Sequence, residues 1–319
     1  MDTRLLQSQP KCKALAYSKA SAPGSLMLFG EHAVLQGKLA LACAIDKRVT
    51  VELVPRNDDV IQVFSSLGTH TMTLATMTHK PALSFVTQAL CVFKEELLSG
   101  FDLHIHSECS HTMGLGSSSA VTVATVAALQ QALGKKHDPY ALFNTALAVI
   151  RTVQGKASGT DVAATIFGGI VAYRMNPLTI EVLKKTYPIT LLYSGKKLAT
   201  STVVGMVLEK QKKHPELYEH IFNAMEEVTL RAQKAMLADR WDEVGSLANT
   251  FHGLMDALGV NDRALSECAW TLRSDPQITG AKISGSGLGD CVVGFGTGIA
   301  NYNSQVSVQM SVEGVITNY

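Results

Sequence analysis

The stretch Met113-Gly-Leu-Gly-Ser-Ser-Ser-Ala120 constrains this chain more than any other. It follows an alternating run, Phe101-Asp-Leu-His-Ile-His106, and precedes an apolar run opening at Ala120. That order predicts a strand, a glycine and serine loop, and then a helix over Ala120–Leu133. Gly114 and Gly116 permit backbone angles that other residues avoid and let a ligand approach the main chain. The free N–H groups and positive dipole end of the next helix then face an anion. The hydroxyls of Ser117, Ser118 and Ser119 can bind phosphate oxygens or a metal ion, although one such serine is also an ordinary helix cap. The loop therefore predicts a phosphate-bearing ligand on Met113, Gly114, Leu115, Gly116 and the three serines.

The rest of the composition narrows the class. A length of 319 residues favours about two domains. With 46% hydrophobic and 17% charged residues, the chain can build substantial cores. A formal net charge of +1 and the absence of any block of like charge argue against a nucleic-acid partner. No apolar run reaches the roughly 18 residues of a membrane helix, and Met1–Pro10 lacks the apolar core of a signal peptide. Six cysteines, at 12, 43, 91, 109, 268 and 291, are scattered without paired metal spacing and read as reduced thiols of a cytoplasmic protein.

Along the chain, residues 1–12 read as a loose tail and Lys13–Ser18 as a short strand. Pro23 and Gly24 predict a turn, followed by a buried strand over Leu26–Phe29 and the polar pair Glu31-His32. Strands are predicted over Leu39–Val54, Val60–Phe64, Ile170–Tyr173 and Pro188–Tyr193. Helices are predicted over Leu83–Leu98, from Asp138-Pro139 with the aspartate as cap, over Thr200–Lys210, Glu216–Leu237 and Trp241–Leu258. Gly280–Phe295 reads as strand, glycine loop, strand, and Gln305–Val312 as a half-buried strand. A domain break near residue 185 divides the chain into 1–185 and 186–319.

Several constellations carry two readings. Asp161 is a candidate base, set among glycines and small residues, or a helix cap before Val-Ala-Ala. Ser284-Gly-Ser-Gly-Leu-Gly-Asp290 lacks the spacing and the following helix of a dinucleotide fingerprint. It is either a tight hairpin or a loop whose backbone approaches a ligand through Gly285 and Ser286. His104, His106, Cys109 and His111 read as ordinary strand residues, since no second cluster closes a tetrahedral metal site. Met206, Met225, Met236 and Met255 read as core filler. Glu31 and His32 are either a capped turn or ligand contacts.

Taken in order, Ser21–Gly37, Met113–Ala120 and Ala281–Gly294 resemble the GHMP kinase superfamily. The run Ala22-Pro-Gly-Ser-Leu-Met-Leu-Phe-Gly-Glu-His-Ala-Val-Leu-Gln-Gly37 is most similar to the mevalonate kinases. Ala157-Ser-Gly-Thr-Asp161 is similar to their segment bearing the catalytic aspartate. The resemblance implies a two-domain α/β (α+β) fold, with a left-handed βαβ unit in the first domain and a ferredoxin-like second domain. It implies an ATP- and Mg²⁺-dependent kinase of a small alcohol, with mevalonate first among substrates. Phosphomevalonate kinase, or a kinase for another small acid or sugar, is the alternative, and a silent ATP-binding sensor is the alternative of another class. By position, Asp161 matches the base, Ser118 the Mg²⁺-touching serine, and Glu31 and His32 the substrate pocket. Thr200, with Thr202 as rival, matches a threonine near the aspartate, and Gly285 and Ser286 belong to the floor. A homodimer is compatible with the resemblance.

Two departures stand out. Mevalonate kinases usually carry lysine where Ser25 stands, and a metal-binding glutamate where Ile150 stands. Lys19 and Lys156, close in sequence to the site, are the candidates for the missing positive charge.

Overall fold

A computed structural model describes residues 15–110, 113–298, 302 and 304–317. The tail over residues 1–12 and the histidine at 111 lie outside the described residues.

The first half runs β1 (Ser18–Phe29), β2 (Ala40–Pro55), β3 (Val60–Ser65), β4 (Gly68–Thr73), α1 (Ser84–Val92), β5 (Phe101–Ser107), α2 (Ser117–Ala132), α3 (Pro139–Gln154), α4 (Thr160–Phe167), β6 (Ile170–Met175) and β7 (Leu178–Leu183). The second half runs β8 (Ile189–Tyr193), α5 (Thr200–Lys213), α6 (Pro215–Leu237), α7 (Trp241–Ala257), α8 (Arg263–Arg273), β9 (Gly280–Ser284), β10 (Cys291–Phe295), β11 (Gln305–Val306) and β12 (Ile316–Thr317). The predicted break at residue 185 falls between β7 and β8.

The larger sheet has the order β12-β1-β2-β5-β3-β4, with β6 paired to the far end of β2 and β7 to β6. Among the described residues only β3 and β5 pair in parallel; the other pairings of this sheet are antiparallel. The smaller sheet, β11-β8-β10-β9, is antiparallel throughout. Helices cover both, which makes a mixed α/β architecture in two parts.

Strand β1 joins the two parts. Ala20, Ala22 and Met27 face the core built with α2, α3 and α4. Leu26, Leu28 and Phe29 belong to the core of the second part, with Phe251 and Phe295. A strand buried on both faces has no polar side to show, which accounts for the continuous apolar run Leu26–Phe29.

The turn predicted at Pro23-Gly24 is a bulge inside a continuous strand, with the register against β2 shifting between Pro23 and Ser25. A Cβ at Gly24 would lie 2.4 Å from the Leu115 carbonyl oxygen. That carbonyl instead accepts the Ser25 N–H at 3.1 Å. Glycine here lets the loop before α2 dock on β1, rather than reversing the chain.

Three other expectations shift. Helix α1 ends at Val92 and tightens into a 3-10 turn over Lys94–Glu96, short of Leu98. The strand predicted over 305–312 breaks after Val306; Met310 makes one bridge to Ile45, and β12 returns to pair with β1. Of the four methionines read as core filler, Met225, Met236 and Met255 are buried, but Met206 is exposed. No helix among the described residues is long and apolar enough to cross a membrane.

Candidate active site

Three loops converge where β1 crosses the start of α2. The helix begins at Ser117, three residues earlier than its apolar run suggests, and Gly116 in the left-handed conformation (φ 66°) is its cap. The three serines therefore occupy the first turn, where backbone N–H groups have no partner within the helix. Gly114 is also left-handed, at φ 69°. Both glycines are needed for contact as well as conformation. A Cβ on Gly116 would lie 2.1 Å from Ser25 Oγ, and one on Gly114 would lie 2.8 Å from Asp290 Oδ1. The 113–119 loop is thus clamped between β1 and the β9–β10 loop.

These elements enclose a cavity of about 490 Å³, and most of the predicted site residues line it. Gly114, Gly116, Ser117, Ser118 and Ser119 form one wall; Glu31, His32, Asp161, Thr200, Gly285 and Ser286 form the others. Met113 and Leu115 are not part of the lining. Their side chains join the core of the second part, with Leu115 buried. Met113 contributes a carbonyl, which accepts the Cys291 thiol at 3.1 Å. Thr202, the rival of Thr200, is also outside the lining.

Asp161 is not a helix cap. Gly159, at φ 98°, caps α4 without a side-chain bond, and Asp161 stands in the first turn. Its Oδ1 accepts a hydrogen bond of 2.8 Å from Ser25 Oγ, from β1. Burial raises the Asp161 pKa above the ordinary carboxylate range. The Ser25 bond and the Lys197 charge pull it back, and the Glu31 charge adds to the rise. A half-buried carboxylate with a raised pKa suits proton abstraction.

Glu31 and His32 sit where β1 leaves the sheet. His32 has φ 59°, a strained value for a residue with a side chain. Its Nε2 donates to the Ser286 carbonyl at 2.8 Å, which ties β1 to the β9–β10 loop. Burial lowers the His32 pKa, against the opposing pull of that carbonyl, so the ring is neutral near pH 7. Glu31 Oε1 pairs at 2.5 Å with Nζ of Lys282, which is fully buried. The ammonium also donates to the Ile283 carbonyl and lies 5.1 Å from the Phe251 ring centre and 5.7 Å from that of Phe29. Glu31 Oε2 and Ser286 Oγ are buried without a hydrogen-bond partner, and both residues line the cavity.

Residues that sequence reasoning missed complete the picture. Lys282 holds Glu31 across 251 positions. Asp290, 4% exposed and at φ 65°, lines the cavity beside Gly114. Lys197 lines it from the β8–α5 loop, 3.6 Å from Asp290 Oδ1. Of the two lysines proposed from sequence, Lys156 lines the cavity but Lys19 does not. The one available signal for Asp290 was an acid ending a run of glycines. For Lys197 there was none, since the pairing arises only on folding.

The donors at the loop are oxygens: the Ser118 hydroxyl and the carboxylates of Asp161 and Asp290, whose buried Oδ1 accepts no hydrogen bond. This set fits Mg²⁺, which prefers oxygen and is commonly held by one or two carboxylates with substrate phosphates. Ile150 lines the same cavity as an apolar side chain. No group of three or more His, Cys, Asp or Glu that could hold a metal occurs among the described residues.

Comparison with known proteins agrees with this architecture. Models for the GHMP kinase N-terminal and C-terminal domains match residues 84–169 and 232–300, and a galactokinase galactose-binding signature matches 16–55. A mevalonate kinase of Thermococcus gammatolerans is 33% identical over 296 residues, covering 86% of this chain and 87% of its own. A protein of Listeria innocua superposes with a TM-score of 0.83 at 19% identity, covering 95% of this chain and 99% of its own. Lactococcus lactis galactokinase, solved with galactose, gives 0.81 at 18% identity, covering 94% and 95%. The chain belongs to the GHMP kinase family.

Proposed function

We propose that this protein is a mevalonate kinase, which transfers the γ-phosphoryl group of ATP to the primary hydroxyl of mevalonate and releases ADP. The observation that carries this reading is Asp161, held from behind by Ser25, lining the same cavity as Gly114, Gly116 and the three serines of the loop. The third-identical archaeal relatives named mevalonate kinase supply the substrate. A cytoplasmic location goes with it.

In this reading the loop amides at 114–119 and the start of α2 hold the polyphosphate. Asp161 orients the alcohol and takes its proton as the alcohol oxygen bonds to the γ-phosphorus and the bond to the ADP oxygen breaks. Phosphoryl transfer rests mainly on positioning and charge stabilisation. Ser118 would hold Mg²⁺, which when bound would neutralise and orient phosphate oxygens. Glu31 Oε2 and Ser286 Oγ supply polar contacts to the alcohol substrate, with His32 fixing the loop that carries Ser286. Thr200 and Gly285 complete the substrate walls.

The test is a panel of mevalonate, phosphomevalonate and galactose with ATP and Mg²⁺, scored for ADP release and for the phosphorylated product. Mevalonate alone as substrate is the expected result. Galactose is the informative competitor because of the signature match at 16–55. ADP release with another member but not with mevalonate would redirect the substrate, and none with any would leave an ATP-binding sensor.

A further inference from the structure

We propose that Lys197 supplies the positive charge at the phosphoryl-transfer site of this chain, anchored by Asp290, in place of a lysine at position 25. The inference rests on the kinase reading above and adds a residue to it.

The electrostatic problem is plain from the cavity lining. Glu31, Asp161 and Asp290 all face a space whose glycine loop is built for an anion. Three carboxylates beside a polyphosphate repel it unless cations intervene. Position 25 offers only a hydroxyl, spent on Asp161. Lys282 is spent on Glu31 and buried behind it. Among the described residues, two lysines line the cavity, Lys156 and Lys197.

Geometry separates these two. Lys197 Nζ lies 3.6 Å from Asp290 Oδ1. The same carboxylate is the atom group that a side chain on Gly114 would strike, at 2.8 Å. An ammonium anchored on Asp290 is therefore held at the first glycine of the phosphate loop. The charge of Lys197 also acts on Asp161, whereas that of Lys156 is not among the groups shifting either carboxyl. At 3.6 Å the contact is longer than an ordinary hydrogen bond, and an ammonium has three donors, so at least two can turn to an arriving oxyanion.

The backbone is built to present this side chain. Asp290 N–H donates to the Lys196 carbonyl at 2.8 Å, and Ser194 N–H to the Asp290 carbonyl at 3.0 Å. These two bonds lock the 194–199 loop to the β9–β10 loop. The neighbouring Lys196 pairs at 3.0 Å with Asp262. Adjacent lysines thus have separate destinations, and only Lys197 reaches the cavity. Asp290 itself adopts φ 65°, a conformation that aspartate tolerates better than most residues.

The experiment compares Lys197→Met, Lys197→Arg and Ser25→Lys/Lys197→Met with the wild type. Turnover and KM are measured, together with the affinity for a non-hydrolysable ATP analogue and the melting temperature. Loss of an electrostatic donor at a reacting centre lowers turnover by roughly 10²–10³-fold. Lys197→Met is expected to show such a fall in kcat, with KM for the alcohol within threefold and melting unchanged. Lys197→Arg is expected to retain more activity, and the double variant to regain part of it.

Turnover of Lys197→Met within threefold of wild type, or no more activity in Lys197→Arg than in Lys197→Met, overturns the proposal. If the wild type itself releases no ADP with any alcohol, the kinase reading fails separately. Analogue binding then decides: at least tenfold weaker binding by Lys197→Met upholds the proposal, and unchanged binding ends it.

Discussion

Replacing Lys282 with methionine isolates the most deeply buried charge among the described residues. The substitution keeps the apolar stem but removes the ammonium, which is fully buried and 2.5 Å from Glu31. Glu31, 3% exposed, is then left as a buried anion without a counter-charge. Breaking a buried pair from one side costs about 3–5 kcal/mol. Protonation limits the loss, because neutralising a carboxylate of ordinary pKa near 4.3 costs about 3.7 kcal/mol at pH 7 and ~1.4 kcal/mol less for each unit of lower pH. The expected destabilisation is therefore about 4 kcal/mol at pH 7, shrinking to about 1 kcal/mol at pH 5. Urea unfolding followed by tryptophan fluorescence measures it, since Trp241, stacked on Tyr187 at 4.0 Å, reports on the second part. Adding Glu31→Met should recover most of the loss, as paired replacement by apolar groups is often neutral. A loss under 1 kcal/mol, a loss that does not shrink towards pH 5, or a double variant no more stable than the single one would refute the reasoning.

Asp161→Asn should keep the fold and lower turnover by roughly 10²–10⁴-fold, the range for a lost general base, checked by ADP release under saturating substrates. Gly116→Ala should abolish nucleotide-analogue binding by calorimetry, because its Cβ would lie 2.1 Å from Ser25 Oγ and 2.7 Å from the Ser25 backbone nitrogen, so the loop must move off β1. His252, buried and accepting the Ile283 N–H at 3.3 Å on Nδ1, has its pKa lowered by burial and by Arg273 and Lys282 to about 4. The unfolded chain therefore binds this proton first as pH falls from 6.5 towards 4. Over that window the wild type should lose about 3 kcal/mol at this site, whereas His252→Asn should lose less when the two are compared by urea midpoint.

How much could be read beforehand depended on whether the signal was local. Helix α3 declared itself through Asp138, whose carboxylate accepts from Tyr140 and Ala141 N–H, and through Pro139 in the first turn. Helices α6 and α7 followed from their apolar periodicity. Strands β4 and β7 went unread because their sequences, Gly-Thr-His-Thr-Met-Thr and Leu-Thr-Ile-Glu-Val-Leu, lie at sheet ends and are largely exposed. Helix α8 went unread although the sequence carried two signals for it: Asp262, which caps it by accepting the Leu265 N–H, and the helical spacing of the buried Leu265, Ala269 and Leu272. In the site, the glycine loop and Asp161 are short motifs whose chemistry is written in consecutive residues. The cations are not. Lys282 on β9 meets Glu31 at the exit of β1, and Lys197 in the β8–α5 loop meets Asp290 in the β9–β10 loop, only once elements distant in the chain are brought together by folding.

The three acids of the cavity each meet a different partner, and the differences bear on what each can do. Glu31 is paired through Oε1 with the Lys282 ammonium at 2.5 Å behind it, which leaves Oε2 to accept from a hydroxyl. Among the described residues Asp161 accepts one hydrogen bond, from the Ser25 hydroxyl, which fixes its orientation, while burial leaves its pKa raised. A lysine in contact at position 25 would pull that pKa down and weaken the base, while adding charge for the phosphate. In this chain the two jobs are divided. Ser25 orients the base, and the cation stands on another carboxylate, 3.6 Å from Asp290. Separating them lets Asp161 keep a proton affinity suited to an alcohol while the loop still receives positive charge. Ser25→Lys alone should thus lower the acid limb of the pH profile without raising kcat at neutral pH, and a large gain in kcat would show that the division confers nothing.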